Sequence, residues 1–156
     1  MISIRQAGRA DAGFLITCNL SLALESEGKA LSPEVLSQGV LNLLERPQLG
    51  FYLIAEYSDR PAGCLMVTTE WSDWRNGLFW WIQSVYVTPE FRRRGMYRRL
   101  YGEVQALARS AKDVIGFRLY VEKDNRAAQE TYRAQGMAET HYRLFEAPLG
   151  PEVSEA

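Results

Sequence analysis

The chain has 156 residues, 47% apolar and 24% charged, with a formal net charge of −1. These values fit one compact globular domain and exclude a disordered chain. The near-neutral balance also speaks against a protein that grips polyanions by bulk charge, so no nucleic-acid partner is expected.

Residues 2–6 (ISIRQ) alternate apolar and polar and read as a first strand. Asp11 is placed to cap a helix whose apolar positions Phe14, Leu15, Cys18 and Leu22 recur at three-to-four spacing. Ser32-Pro33 opens a second helix, with serine as cap and proline at the first helical position, and Pro47 ends it. Residues 51–57 and 62–70 read as strands joined by the turn Ser58-Asp59-Arg60-Pro61. Residues 71–77 (WSDWRNG) read as a loop and 79–87 (FWWIQSVYV) as a third strand, stopped by Thr88-Pro89. Trp80 and Trp81 are neighbours on that strand, so they face opposite sides: one belongs to the core and the other to a pocket or subunit interface. A helix follows from Gly95 to Arg109, then a strand at 116–121. Asp124 or Asn125 caps a helix that runs through 135, and Gly136 serves as a left-handed stop. Residues 140–147 read as a last strand carrying His141, the only histidine, as half-buried structure. The order β-α-α-β-β-β-α-β-α-β describes a mixed α/β (α+β) domain over 1–147, with 148–156 as a disordered tail.

No segment approaches the ~20 apolar residues of a bilayer span, and MISIRQAGRADAG lacks the apolar centre of a signal peptide. Cys18 and Cys64 sit in apolar runs without metal-ligand spacing. They read as free buried thiols, which fits a cytoplasmic protein with no metal and no membrane partner.

The residue pattern with the most chemistry is Val87-Thr88-Pro89-Glu90-Phe91-Arg92-Arg93-Arg94-Gly95-Met96-Tyr97-Arg98. A strand ends, a basic turn follows and a helix begins. A helix start offers unpaired N–H groups and partial positive charge, which suits a phosphate. Gly95 leaves room for close approach, and Arg92, Arg93, Arg94 and Arg98 add full charges.

This segment resembles the coenzyme A loop of the GNAT superfamily of N-acetyltransferases, V-x-P-x-[FY]-R-x-x-G-x-[GA] before a helix. The last position departs from the pattern, with Tyr97 in place of Gly or Ala. A second block, N-x-x-A-x-x-x-Y-x-x-x-G-[FM], is matched in outline by Asn125, Tyr132 and Gly136-Met137. The stretch TTEWSDWRNGLFWWIQSVYV is also similar to the spermidine/spermine acetyltransferases. Their acidic pair is replaced here by Gln83-Ser84, which weakens a polyamine assignment. The resemblance covers residues 2–147. It implies a GNAT fold with a splayed strand pair that binds coenzyme A.

The resemblance further implies acetyl-CoA as co-substrate and direct transfer of an acetyl group to a primary amine of a small molecule. Val85 and Val87 would contact the pantetheine arm through main-chain groups. Main-chain N–H groups from Arg93 to Arg98 would hold the pyrophosphate, and Asn125 would touch the cofactor near the second strand end. Tyr132 would be the general acid that protonates the leaving sulfur. For the acceptor, Glu25 and Glu27 with the loop Trp71-Ser72-Asp73-Trp74 offer carboxylates beside indoles, which suit a cationic amine. Glu70 or Asp73 is a candidate base, with a water chain as the equal alternative. Competing readings are acetylation of a protein N-terminus or lysine, and a non-catalytic coenzyme A-binding module. Homodimers are common in proteins of this kind.

Overall fold

The computed structural model describes residues 1–150. Most of the expected tail, 148–156, lies outside the described residues. The elements in chain order are β1 (Ile2–Gln6), α1 (Ala12–Glu27), α2 (Pro33–Glu45), β2 (Gly50–Tyr57), β3 (Arg60–Ser72), β4 (Gly77–Val87), α3 (Met96–Ser110), β5 (Val114–Arg118) and α4 (Arg126–Ala134). Short 3-10 turns at Arg9–Asp11 and Pro89–Phe91 lead toward α1 and α3.

The five strands form one sheet in the order β1-β2-β3-β4-β5, antiparallel except for the parallel β4–β5 pair. The two-residue alternation of the strands divides the core between the two faces. Leu53, Leu65, Val67 and Ile82 pack with Met96, Leu100 and Val104 of α3 on one face. Tyr52, Ile54, Cys64 and Tyr86 pack with Leu15 and Cys18 of α1 and Val40 and Leu43 of α2 on the other. The expected mixed α/β order is present up to α4.

Several local expectations change. The β2–β3 turn has only Ser58 and Asp59 in left-handed conformation (φ 48° and 66°), a tight two-residue turn. Arg60 and Pro61 already belong to β3, and the register shifts between Ala55 and Glu56 opposite Pro61. A proline, lacking its N–H, is tolerated at such an irregularity. The expected loop over 71–77 is shorter, because Trp71 and Ser72 stay paired with Leu78 and Gly77. The fourth-helix expectation holds: Asn125 Oδ1 accepts the Ala128 N–H at 3.1 Å, and Gly136 has φ 93°.

Residues 140–147 do not form the expected last strand. They carry no ladder, and His141 is exposed and stacks on Tyr142 with ring centroids 4.6 Å apart. The alternation was real, yet Tyr142, Leu144 and Phe145 are exposed, so no buried face holds a register. The strand expected at 116–121 is shifted to Val114–Arg118, because its pairing with β4 ends at Trp81 opposite Arg118.

Asp11 flanks α1, but its side chain does not cap that helix. It accepts the Gly8 N–H at 2.8 Å and two guanidinium bonds from Arg5 at 2.8 and 2.9 Å. The Arg5 hydrogen bonds hold its carboxyl below the usual 3.8 against the opposing pull of partial burial. The unfolded chain therefore binds the proton more readily than the folded one, so stability falls as the pH drops through 3.8 and below. Thermal melts from pH 7 to 3 are expected to show this acid loss, with a shallower slope in Asp11→Asn. Equal slopes in the two proteins would contradict it.

Candidate active site

The site begins with a fault in the sheet. Between Gln83 and Tyr86 on β4, Ser84 and Val85 together face the single residue Leu65 on β3. This is a bulge, and Ser84 takes φ 52° to make it. On its other edge β4 pairs with β5 only from Leu78 to Trp81. Beyond that point the two strands part. The β5-side backbone groups of residues 82–87 therefore have no ladder partner, as the expected splayed pair requires.

A cavity of about 370 Å³ occupies the gap. Gln83, Ser84 and Val85 form one wall, and Tyr120, Val121 and Glu122 the other. Asn125 and Tyr132 enter from α4, and Asn19, Ser26, Glu27 and Lys29 from α1 and the chain after it. Its size falls in the range of small-molecule sites. Gln83 is held by its Nε2, which donates to Thr68 Oγ1 at 2.7 Å. Asn19 escaped the sequence reading. Its signal was a polar residue among Leu15, Cys18 and Leu22 on the inward face of α1. Its Nδ2 donates to Leu15 O at 2.9 Å. Glu122 and Lys29 carried no signal beyond being surface charges.

The start of α3 is built for an anion. Arg93 and Gly95 both have positive φ (65° and 80°), which turns the chain sharply into the helix. Nothing lies within 4 Å of a Cβ built on Gly95, so the position is open as well as left-handed. The first intrahelical bond runs from Arg99 N–H to Gly95 O at 3.0 Å, and no side chain caps the helix. The N–H groups of Met96, Tyr97 and Arg98 are left for a ligand. Met96 itself is buried and anchors the turn in the core.

The four arginines divide. Arg92 does not stand free: Nε donates to Val87 O at 2.9 Å and Nη2 to Glu25 Oε1 at 2.8 Å. Arg94 lies over the rings of Tyr57 and Phe91, 4.8 and 5.8 Å from their centroids. Arg93 and Arg98 have no ion-pair partner among the described residues. Arg92 and Arg94 thus fasten the loop as well as adding charge beside the helix start.

Glu25 belongs to that fastening. It also accepts from Tyr86 Oη at 2.5 Å, and the Tyr86 and Arg92 bonds hold its carboxyl below 4.5. Glu27 lines the cavity and pairs with Lys29 at 3.4 Å.

Tyr132 also lines the cavity, and burial pushes its phenol above the ordinary value of 10.0. It therefore stays protonated across the neutral range. Its ring meets Tyr97 edge to face, with centroids 5.6 Å apart. Tyr97, the residue that departs from the motif, does not block the turn, because its ring points into the core beside Tyr101.

The remaining acceptor candidates gather elsewhere. Glu70, Trp71, Asp73 and Trp74 line a second cavity of about 430 Å³, together with Trp81, Tyr120 and Tyr142. Tyr132 is not on it. Glu70 Oε1 accepts from Trp81 Nε1 and Arg118 Nη1, both at 2.9 Å. These bonds hold Glu70 below its usual 4.5, which suits an ion-pair anchor better than a base. Trp80 is the core member of the tryptophan pair, edge-on to Phe51 at 5.4 Å, and Trp81 faces the second cavity.

Among the described residues no cluster of ligating side chains could hold a metal ion, and no helix is long and apolar enough to cross a membrane. Cys18 and Cys64 are free and buried, as expected.

Comparison with known proteins agrees with this geometry. Residues 20–137 match the model of the "Acetyltransferase (GNAT) family". A possible acetyltransferase from Clostridium difficile 630 is 40% identical, with a TM-score of 0.89 over 96% of this chain and 98% of that one. A predicted acetyltransferase from Clostridium acetobutylicum, solved with acetyl-CoA, is 18% identical, with a TM-score of 0.77 over 94% and 96% of the two chains. A ribosomal-protein-alanine N-acetyltransferase from Brucella melitensis biovar Abortus 2308 is 14% identical, with a TM-score of 0.76 over 96% and 100%. No curated protein matches the chain by sequence. The family match over residues 20–137, together with a splayed β4–β5 pair and an open helix start, places this chain in the GNAT family of acetyltransferases, enzymes that use acetyl-CoA as acyl donor.

Proposed function

We propose that residues 1–147 act as a single domain that transfers an acetyl group from acetyl-CoA directly to a primary amine of a small molecule. The observation that carries this reading is the common cavity: the β4 bulge, the first residues after β5, Asn125 and Tyr132 all border it. Acetyl-CoA supplies the activated acyl group when bound. The free N–H groups of Met96, Tyr97 and Arg98 are suited to its phosphates, with Arg93 and Arg98 adding charge. Main-chain groups at Val85 are suited to the extended arm, since an unpaired strand edge accepts another extended chain. Val87 contributes less there, because Arg92 already occupies its carbonyl oxygen.

In the transfer a C–N bond forms to the amine and the C–S bond breaks. Tyr132 gives its proton to the departing sulfur and regains one from solvent. The amine yields its proton to water. Glu27 is tied to Lys29, and Glu122 Oε2 accepts the Asp124 N–H at 2.9 Å, so neither carboxylate stands free as a base. Size supports a small acceptor: the cavity, lined on one side by Asn19 and Ser26 of α1, holds about 370 Å³. A polypeptide acceptor would need an open groove.

The test is a thiol-release assay with acetyl-CoA across small alkyl amines, diamines, amino acids, aminoglycosides and a short N-terminal peptide. Both cysteines are buried, so the background is low. Amine-dependent release with a small molecule is expected. Release with the peptide alone would transfer the activity to protein acetylation, and no amine-dependent release at all would overturn the proposal.

A further inference from the structure

The second cavity, of about 430 Å³, lies on the same face of the sheet as the first. The side chains of β3 and β4 show this. Gln83, on the first cavity, bonds to Thr68; Trp81, on the second, bonds to Glu70; and Thr68 is the ladder partner of Trp81. Trp81 and Gln83 are two residues apart on β4, a step of ~7 Å along the strand. Tyr120 borders both cavities and stands beside Trp81, with ring centroids 6.2 Å apart.

The second cavity is rich in rings: Trp71, Trp74, Trp81, Tyr120 and Tyr142 line it. Trp71, Trp74 and Tyr142 are 56%, 88% and 60% exposed. A cluster of large rings left in solvent marks a binding surface rather than a core. Its charge argues against a second ammonium. Arg75, Arg118 and Arg143 outnumber Glu70 and Asp73, and Glu70 is already held by Trp81 and Arg118. A flat uncharged ring suits both parts of this lining, since it stacks on indoles and on guanidinium planes alike.

We propose that the second cavity is the distal subsite for the acceptor and takes an aryl group, so that the substrate is a primary amine joined to an aromatic ring by an alkyl arm. The inference rests on the first cavity as the place of transfer. The amine lies in the first cavity, which Tyr132 borders; the arm passes Tyr120; and the ring lies among Trp71, Trp74 and Trp81. These rings select the acceptor and take no part in the bond changes.

Two measurements on the full chain test this. The thiol-release assay compares phenylalkylamines of increasing arm length with straight-chain alkylamines and diamines of equal carbon number. Calorimetry repeats the comparison by binding alone, with coenzyme A present. The best phenylalkylamine is expected to exceed its alkyl and diamine counterparts by at least ~10-fold in kcat/KM and in affinity. Trp71→Leu and Trp74→Leu change exposed side chains. Each is expected to cut that preference at least ~3-fold, read mainly in KM. Equal handling of the three kinds of amine, a preference for the diamine, or an aryl preference that survives intact in both variants would overturn the inference. Preferential aryl binding without thiol release from any amine would uphold the aryl site and overturn the transfer reading instead, so the two failures are distinguishable.

Discussion

Tyr132→Phe is expected to lower kcat at least ~10-fold while leaving acetyl-CoA affinity within ~2-fold, as befits removal of a proton donor that does not hold the donor molecule. The phenyl ring preserves the edge-to-face contact with Tyr97, so the loop and α4 keep their places. What is lost is the proton for the departing sulfur. The pH profile adds a second signature. The Tyr132 phenol is raised by burial, so it is protonated at neutral pH and is lost as an acid only as the pH climbs beyond 10.0. Any fall in kcat due to Tyr132 thus lies on the alkaline side above that value, and it should be missing from the residual activity of the variant. Wild-type kcat in Tyr132→Phe would sink the assignment.

Gly50→Ala is expected to have the largest effect on stability. Gly50 opens β2 with φ 151°, and a Cβ there would sit 2.0 Å from Val67 O and 3.2 Å from Thr68 Cα. Both obstacles are backbone of β3, which cannot rotate aside. Overpacking and a strained backbone together are worth ~4 kcal/mol or more, a large part of the stability of an ordinary domain. In a chain of this size that is a drop of ~10 °C or more in Tm. The strain has a functional path as well. Thr68 is the acceptor of the Gln83 side chain, so a displaced β3 loosens the cavity wall beside the bulge. A Tm within ~2 °C of the parent would contradict the close β2–β3 approach. Gly95→Ala gives the contrast: its surroundings are open, and only the left-handed backbone costs, ~1–2 kcal/mol.

The parts of the fold legible in the sequence were those with a local cause. Ser32-Pro33 started α2, and the Ser32 hydroxyl accepts the Val35 N–H as a cap. Asn125 started α4 in the same manner, and the helices and strands with a buried face declared themselves by period. The 140–147 segment carried the same alternation as a true strand but has no buried face to hold it. Asp11 showed the limit of a one-residue rule. A carboxylate beside a helix start was visible, but the Arg5 guanidinium that claims it comes from β1.

The candidate site was legible where backbone geometry carries it, at Gly95 and the helix behind it. Side-chain destinations were not. The sequence showed three adjacent arginines, yet Arg92 is drawn off by Glu25, 67 positions earlier. The acidic and aromatic acceptor candidates looked like one set, but Glu27 lines one cavity, Glu70, Trp71, Asp73 and Trp74 line another without Tyr132, and Glu25 lines neither. The bulge at Ser84 left no mark in the sequence: its cause is the unequal pairing of β3 and β4, not a glycine or proline.

The central claim is that the splayed strands and the open start of α3 form one acetyl-CoA site. Titration calorimetry with acetyl-CoA tests it without an acceptor. Saturable binding of one molecule per chain, at a Kd of ~1–100 μM, is the expected result. No saturable heat at acetyl-CoA concentrations up to ~1 mM would contradict the claim.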